Sequence, residues 1–485
     1  MPGLAGFVDG CVGYCPHMAG IVAYGSYIPY WRLQRGVITK SLGAGGGKGE
    51  RAVASFDEDT TSMAVEAGRV ALRNVAANWV PSSLWFATTD PAYLDKTNAN
   101  TIHAALSLPA STTSVDTIGS VRSGVAAMMG AGNGNAIAIL SDIRTGLPGG
   151  ADESAGGDAA VAFCFGTDGV IAEVIGGAAA TAEFTDRWRQ PGEPASKQWE
   201  ERFGEHAYAP LVDNAFSDAL KGANLAPGDI SHAIFSGLHG RAVKAAVKAC
   251  GVSGESVVDD LSATIGNPGI AQWGVMLADV LDRAEPGQTI AVVVLADGVN
   301  VWLLRTTDAI TKYRARQSVA LTVRGQIAAG RNDLTYTQFL TWRGFLHREP
   351  PRRPEPDRPA GPPSLRAQAW KYGLYGSRDE SGFVYLPPAR VSMKSGSIDQ
   401  MEMVRMADIQ ATIATYTVDR LAYSMSPPVV AAVIDFDGGG RFQCELTDVD
   451  PAAVKIGDRV EMTFRRLYTV DGIHNYFWKA KPVRA

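Results

Sequence analysis

A run of prolines separates two stretches of different hydrophobic period, and that change of period limits what the chain can fold into. From Met18 to Asp308 short apolar segments alternate with Ala-rich segments of helical spacing. Ile21–Tyr27, Leu84–Thr88, Ala136–Leu140, Ala159–Phe165, Ala233–Phe235 and Thr289–Leu295 are spaced as strands. Thr61–Val75, Ala209–Leu220, Ala242–Ala249 and Gln272–Asp282 are spaced as helices. Buried strands alternating with helices predict a layered α/β domain. Ser123–Met129 and Gly269–Leu277 are two small-residue helix starts, which suggests two similar halves meeting in the middle. Residues 309–346 read as helical and aromatic. Pro350–Pro363 then holds seven prolines among arginines and acids, the composition of a linker or extended arm. Beyond it the period falls to two. Ile413–Asp419, Val429–Phe436, Arg441–Leu446, Arg459–Arg466 and Tyr476–Lys481 are five short strands, with turns at Asp437–Gly440 and Ile456–Asp458. Five such strands predict a small all-β barrel of OB type.

A length of 485 residues fits two or three domains. The net charge of −5 gives no basic field for nucleic acid, and no apolar run is long enough for a membrane span. Cys11, Cys15, Cys164, Cys250 and Cys444 are scattered, which fits a reducing, cytoplasmic setting better than a disulfide framework. Residues 1–17 lack a basic n-region and a clear cleavage site, and read as an N-terminal extension. Cys11, Cys15 and His17 are spaced loosely enough for a metal, but a disordered tail is the simpler expectation.

Two segments carry a family likeness in the first stretch: Gly156-Gly157-Asp158-Ala159-Ala160 and Ile265-Gly266-Asn267-Pro268-Gly269. With them, residues 18–308 resemble the 3-hydroxy-3-methylglutaryl-CoA synthase branch of the thiolase superfamily, especially its compact prokaryotic form. The resemblance implies a thiolase-type α/β/α/β/α domain that forms a homodimer. It also implies a coenzyme A thioester as substrate or ligand, with no prosthetic group. Tyr372–Ser377, Asp435–Phe442 and Gly472–Tyr476 carry a second likeness. Through them residues 366–485 resemble an acyl-CoA-associated OB-fold family that often bears a small zinc ribbon and assists thiolases and synthases. The expected organisation is therefore an extension (1–17), a thiolase-type domain (18–308), a helical segment with linker (309–365), a degenerate zinc-ribbon-like segment (366–397) and an OB domain (398–485).

Claisen chemistry in such a family needs a thiolate, a base and oxyanion donors. Aligned on Gly124, Val121 stands where the resemblance places the cysteine, and a one-residue shift puts Ser120 there. Ser120 and Ser123 are either nucleophile candidates or residues that cap or pack a helix start. In Ile234–Arg241, Ser236 takes the histidine position, His239 the asparagine position, and Arg241 is kept. Thr89 falls at the glutamate position, beside Asp90, with Tyr93 and Lys96 holding the register. Asn267 matches the asparagine that helps hold the thioester carbonyl, and Asp158 reads as structural. Asp297 stands beside a strand-end loop as either an acid/base or a turn residue. His239, Asn267, Asp297 and Ser120 are thus the catalytic candidates. Tyr93, Arg241, Ser236, Val121 and Thr89 are the substrate-binding ones.

The barrel departs from its family too. Asp379 and Gly382 occupy the first zinc knuckle, the second falls near Pro387–Arg390, and no Cys-x-x-Cys occurs, so zinc is not expected. Tyr468, Tyr476, Phe477 and Trp478 lie near Arg465, Arg466, Lys479 and Lys481, but mixed charge and alternating aromatics suit a core better than a nucleic-acid groove. Three functions follow as expectations. The first is an acyl-CoA enzyme that makes or breaks a C–C bond without a cysteine nucleophile. The second is an inactive acyl-CoA-handling scaffold beside a separate thiolase-like subunit. The third is an acyltransferase like 3-hydroxy-3-methylglutaryl-CoA synthase.

Overall fold

The computed structural model describes residues 18–484, so the extension with Cys11, Cys15 and His17 lies outside the described residues. Strand β1 (Gly20–Tyr27) is followed by a small pair, β2 (Trp31–Gln34) and β3 (Glu50–Val53). Then come β4 (Ser83–Thr88), β5 (Thr113–Ile118), β6 (Ala136–Ile143), β7 (Asp158–Gly166) and β8 (Ala172–Ala180). A short hairpin, β9 (Arg187–Trp188) and β10 (Lys197–Gln198), precedes β11 (His232–Gly237), β12 (Thr289–Leu295) and β13 (Val299–Thr306). Nine of these form one sheet in the order β11-β12-β13-β8-β1-β7-β6-β4-β5.

The sheet is a doubled motif. In the first half β4 runs parallel to β6, β6 antiparallel to β7, and β7 antiparallel to β1. In the second, β11 runs parallel to β12, β12 antiparallel to β13, and β13 antiparallel to β8. The first half adds β5 beside β4, and its counterpart in the second shrinks to one parallel bridge between Ala233 and Val257. Helices repeat in step. Helix α1 (Thr60–Leu72) lies between β1 and β4, and α2 (Ser123–Ala131) precedes β6. Helix α3 (Glu201–Ala223) follows β8, α4 (Gly240–Ala249) follows β11, and α5 (Gln272–Leu281) precedes β12. Every residue of α5 is buried. Gly124 of α2 explains how closely the halves meet: a Cβ there would lie 2.9 Å from Ile270 and 3.4 Å from Trp273. This is the α/β architecture that the alternating segments predict, in the thiolase-type arrangement that the resemblance implies.

Short helical pieces, Ala309–Arg316, Val323–Ala328 and Tyr336–Trp342, wrap back over the domain. The Tyr313 hydroxyl donates to the Tyr24 carbonyl at 2.9 Å, and Trp342 meets Trp31 edge-on. Residues 347–360, which hold five closely spaced prolines, carry no helix or strand, and Pro362 and Pro363 sit in the first turn of a short helix.

Next comes a three-stranded sheet of β14 (Tyr375–Arg378), β15 (Val384–Tyr385) and β16 (Glu402–Arg405). The turn facing Asp379 is formed by Ser392–Ser395, where the Ser392 hydroxyl accepts the backbone N–H groups of Lys394 and Ser395. Asp379 is the centre of the hydrogen bonds that hold this turn. Its carboxylate accepts the Ser381 and Ser392 hydroxyls at 2.6 and 2.8 Å, and the Tyr385 hydroxyl at 3.2 Å. These bonds hold Asp379 well below the usual carboxylate range, the Ser381 hydroxyl first among them. Phe383 packs on Tyr385 with ring centres 4.8 Å apart.

The barrel is closed, in the order β17 (Ala411–Asp419), β18 (Val429–Phe436), β19 (Arg441–Leu446), β21 (Ile473–Pro482), β20 (Arg459–Val470). In β19 exposed and buried residues alternate strictly, as a half-buried strand demands. Tyr476 and Trp478 are core residues.

Three of the barrel's cations, Arg465, Lys479 and Lys481, face the first domain rather than solvent. Arg465 is fully buried and pairs with Glu58 at 2.7 Å, Asp448 at 2.6 Å and Asp57 at 3.4 Å. Lys479 bridges Asp57 and Glu445 at 3.0 and 2.9 Å. Lys481 reaches Glu66 at 3.2 Å, and Arg69 pairs with Glu66 and Asp408. The Tyr476 hydroxyl donates to Asp59 at 2.6 Å. Burial pushes Glu58 up to about 7 against the pull of Arg465, while Arg69 and Lys481 hold Glu66 down at about 2 despite its burial. Docking thus occupies Arg465, Lys479, Lys481 and Tyr476, four of the residues that a nucleic-acid groove would need. Among the described residues no helix is long and apolar enough to cross a membrane.

Candidate active site

Parallel strands leave their carboxyl ends open, and ligands of open α/β sheets gather there. A cavity of about 310 Å³ lies at those ends, between the two halves. The first half supplies Thr89 after β4, Gly119–Val121 after β5 and Arg144 after β6; the second supplies Leu238 and His239 after β11 and Leu295–Asp297 after β12. The loop from β8 to α3 closes it with Asp186, Arg187, Arg189 and Ser196, and α3 adds Tyr208.

Of the sequence candidates, Ser120, Val121, Thr89, His239 and Asp297 converge on this cavity. Ser120 is exposed to it and gives α2 no side-chain cap. Val121 is buried in the wall. The Thr89 hydroxyl donates to Asp142 at 2.8 Å, so the position expected to hold a glutamate is tied to a buried acid behind it. Asp90 is exposed and does not line the cavity; its carbonyl accepts the Thr60 hydroxyl.

Four candidates are not brought in, each for a visible reason. The Asn267 amide donates to the Gly237 carbonyl at 3.1 Å and its oxygen accepts the Gly269 N–H, so it staples two loops together. Tyr93 turns to the barrel, where its hydroxyl accepts the His474 N–H at 2.8 Å. Arg241 is exposed and pairs with Glu201 at 3.0 Å. Ser236 is buried in β11, one strand position short of the open end.

His239 is the best-defined group. It caps α4, its Nδ1 accepting the Ala242 N–H at 3.1 Å. A neutral ring whose Nδ1 lone pair is used in this way carries its proton on Nε2. That Nε2 is buried and meets no partner among the described residues. Beside it stands Asp186, also buried, whose carboxyl is raised above the usual range by burial, with His239 opposing the rise. Gly204 of α3 lies against both. A Cβ there would lie 2.6 Å from His239 Nε2 and 3.3 Å from Asp186 Oδ2. The Tyr208 ring is centred 6.3 Å from His239, and its hydroxyl accepts the Asp297 N–H at 3.2 Å. Asp297 has a positive φ of 48°, fixed further by Arg122 Nη1 donating to its carbonyl at 2.7 Å.

Cys164, Cys250 and Cys444 are buried and none lines the cavity. Burial pushes the Cys250 and Cys444 thiols up to about 12 and Cys164 higher still. Among the described residues no group of three or more His, Cys, Asp or Glu side chains is placed to hold a metal ion.

Asp186, Tyr208, Arg144, Arg187 and Arg189 escape the sequence reading because most sit in or beside an insertion with no period. The dense charge of Asp186-Arg187-Trp188-Arg189 in a loop was the available signal.

A doubled α/β fold with a strand-end cavity between its halves defines a thiolase-superfamily protein. A hydroxymethylglutaryl-CoA synthase of Picrophilus torridus is 30% identical over 315 residues, which cover 61% of this chain and 90% of that protein. The chain belongs to the hydroxymethylglutaryl-CoA synthase family. Solved structures share the fold: PksG, an HMG-CoA synthase from Bacillus subtilis, superposes with a TM-score of 0.57 at 16% identity, over 67% of this chain and 89% of that one. MvaS in complex with 3-hydroxy-3-methylglutaryl coenzyme A gives 0.55 at 17% identity, over 80% and 99%. Residues 403–465 match the family of ChsH2 C-terminal OB-fold domains.

Proposed function

We propose that the protein is a thiolase-superfamily acyl-CoA enzyme that makes or breaks a C–C bond by an aldol route, with no acyl-cysteine. The observation that carries this reading is a buried His239 Nε2 without a partner beside Asp186, in a cavity that none of the described cysteines lines. In the cleavage direction Asp186 takes the proton of a β-hydroxyl, and the bond between Cα and Cβ breaks. Its electron pair passes into the thioester as an enolate, whose oxygen receives the His239 Nε2–H bond. A proton then returns to Cα, giving a carbonyl compound and a shorter acyl-CoA. Condensation is the reverse. A carboxyl raised by burial suits a group that must gain and lose a proton, and a fixed N–H donor suits an enolate oxygen. Ser120 and Asp297 line the same space as secondary polar contacts.

The test is turnover of a branched β-hydroxyacyl-CoA, with mass spectrometry of the protein during reaction. Asp186→Asn and His239→Gln are each expected to lower kcat by about a hundredfold or more, with no acyl adduct on the chain. Wild-type rates in both variants, or an acyl-enzyme, would sink the proposal.

The barrel's docking face is already filled by its own thiolase-type domain, which argues against a scaffold that serves a separate thiolase-like subunit through that face. A second copy of this chain is the better partner. Strand β5 ends the sheet with a free outer edge, and open edges favour pairing with another chain. Sedimentation equilibrium should give twice the chain mass; a monomer across the micromolar range counts against the dimer.

A further inference from the structure

We infer that Asp152 is a positioning residue of the active site: it latches residues 181–200 across the strand ends, and through that latch it sets Asp186 beside His239. This rests on the acyl-CoA reading above and adds to it a residue that stands outside the cavity.

Residues 181–200 run from the end of β8 to the start of α3. Their strands β9 and β10 pair with each other and not with the nine-stranded sheet. Burial does little to hold them. Asp186 is the one buried residue of the segment, and Trp188 and Trp199 are left 37% and 60% exposed. The apolar fastening is Phe184, which packs on Phe203 and Tyr208 of α3. A segment with so little buried apolar surface keeps its place through polar bonds. Beyond Phe184 these come from the first half of the domain. The Thr89 carbonyl and hydroxyl accept Arg189, and the Gly146 N–H donates to the Pro194 carbonyl at 3.1 Å. Arg144 reaches the Ser196 hydroxyl at a long 3.4 Å.

Asp152 does more than these. It lies on the short helix Ala151–Ala155 and grips both arms of the hairpin. One oxygen accepts Arg187 of β9, and the other accepts the Ser196 N–H at 3.2 Å, just before β10. Burial pushes the Asp152 carboxyl up, but Arg187 outweighs it and holds the group below the usual carboxylate range. Asp186 depends on this clamp. It precedes Arg187 in the chain, and its carbonyl accepts the Trp199 N–H at 2.8 Å, which extends the β9–β10 pairing to it. Among the described residues no other residue's side chain donates a hydrogen bond to its carboxylate, and His239 acts on it through charge. The place of that carboxylate is therefore set by its backbone, and the backbone is held by Asp152. A reacting group displaced by about 1 Å loses about a hundredfold in rate.

The test combines turnover of a branched β-hydroxyacyl-CoA with hydrogen–deuterium exchange of the full chain. Asp152→Ala should speed exchange across residues 181–200 and not in the strands of the main sheet, and should lower kcat by about tenfold to a hundredfold. Added to Asp186→Asn, it should cost at most about twofold more, because its effect passes through Asp186. Glu193→Ala, which removes an exposed acid from the same hairpin, is the control and should match the wild type in both measurements. Unchanged exchange in 181–200, unchanged kcat, or a full further loss in the Asp186→Asn background overturns the inference, as does an equal effect of Glu193→Ala. A wild type that turns over no β-hydroxyacyl-CoA overturns the acyl-CoA reading instead, and the exchange measurement still decides whether Asp152 is the latch. Thermal unfolding followed by circular dichroism separates a released hairpin from a lost fold. Asp152→Asn, which keeps the shape and one acceptor oxygen, carries the same expected directions should alanine unfold the chain.

Discussion

Arg465→Met is expected to destabilise the protein by roughly 3–5 kcal/mol, because it strands buried acids that share one cation. Glu58 and Asp448 lie 2.7 and 2.6 Å from the guanidinium, and Asp57 at 3.4 Å. Lys479 partly covers Asp57, but no second cation is placed on Glu58 or Asp448 in the described ion pairs. The Tyr27 hydroxyl, which accepts from Arg465 at 3.1 Å and donates to Glu58, loses its place in the same network. The acids come from the segment before α1 and from the barrel, so the loss should loosen docking before either domain melts. Chemical denaturation followed by tryptophan fluorescence, with limited proteolysis between residues 347 and 360, would measure both. Arg441→Met is the control. It removes a pair of exposed partners, Arg441 with Asp435, and should change nothing measurable. Equal effects of the two substitutions would refute the view that buried charge fastens the barrel.

That interface marks where sequence reading ran out. Strand existence was legible from period alone: Thr289–Leu295, Val429–Phe436 and Arg441–Leu446 are strands over those same residues. The reason is that burial on one or both faces leaves a pattern in neighbouring residues. Nothing local marks Asp57, Glu58, Arg465 and Lys479 as partners, because the pairing spans some four hundred residues and each charge alone looks like a solvated surface. The cavity divides in the same way. Ser120, Val121, Thr89, His239 and Asp297 were found because each follows a strand in a recognisable register. Asn267 and Arg241 shared that register and still point elsewhere, since a matched position fixes the backbone more firmly than the side chain's partner. Asp186 and Arg189 had no register to follow. They lie in a hairpin clamped onto the domain through Asp152 and Thr89, and only the folded chain brings that hairpin over the strand ends.

Gly204→Ala should lower kcat/KM by about a hundredfold while leaving the fold in place. The added methyl would lie 2.5 Å from His239 Cδ2 and 2.6 Å from Nε2, closer than real Cβ contacts allow. The ring has little room to retreat. Nδ1 is fixed by the Ala242 N–H at the start of α4, and the Tyr208 ring stands on another side. Relief must come from rotating His239 away from Asp186 or from shifting α3 outward, and either misplaces the donor that faces the substrate. The helix itself gains, since alanine is favoured over glycine in a helix interior by about 1 kcal/mol. Stability and activity should therefore part company, which a general packing defect would not produce. Gly222→Ala in the same helix is the matched control: nothing lies within 4 Å of its Cβ position, so only the propensity gain remains. If His239 is the group displaced, Gly204→Ala added to His239→Ala should cost far less than the product of the two single effects. Full additivity, or wild-type turnover in the folded Gly204→Ala protein, would remove His239 from the proposed chemistry.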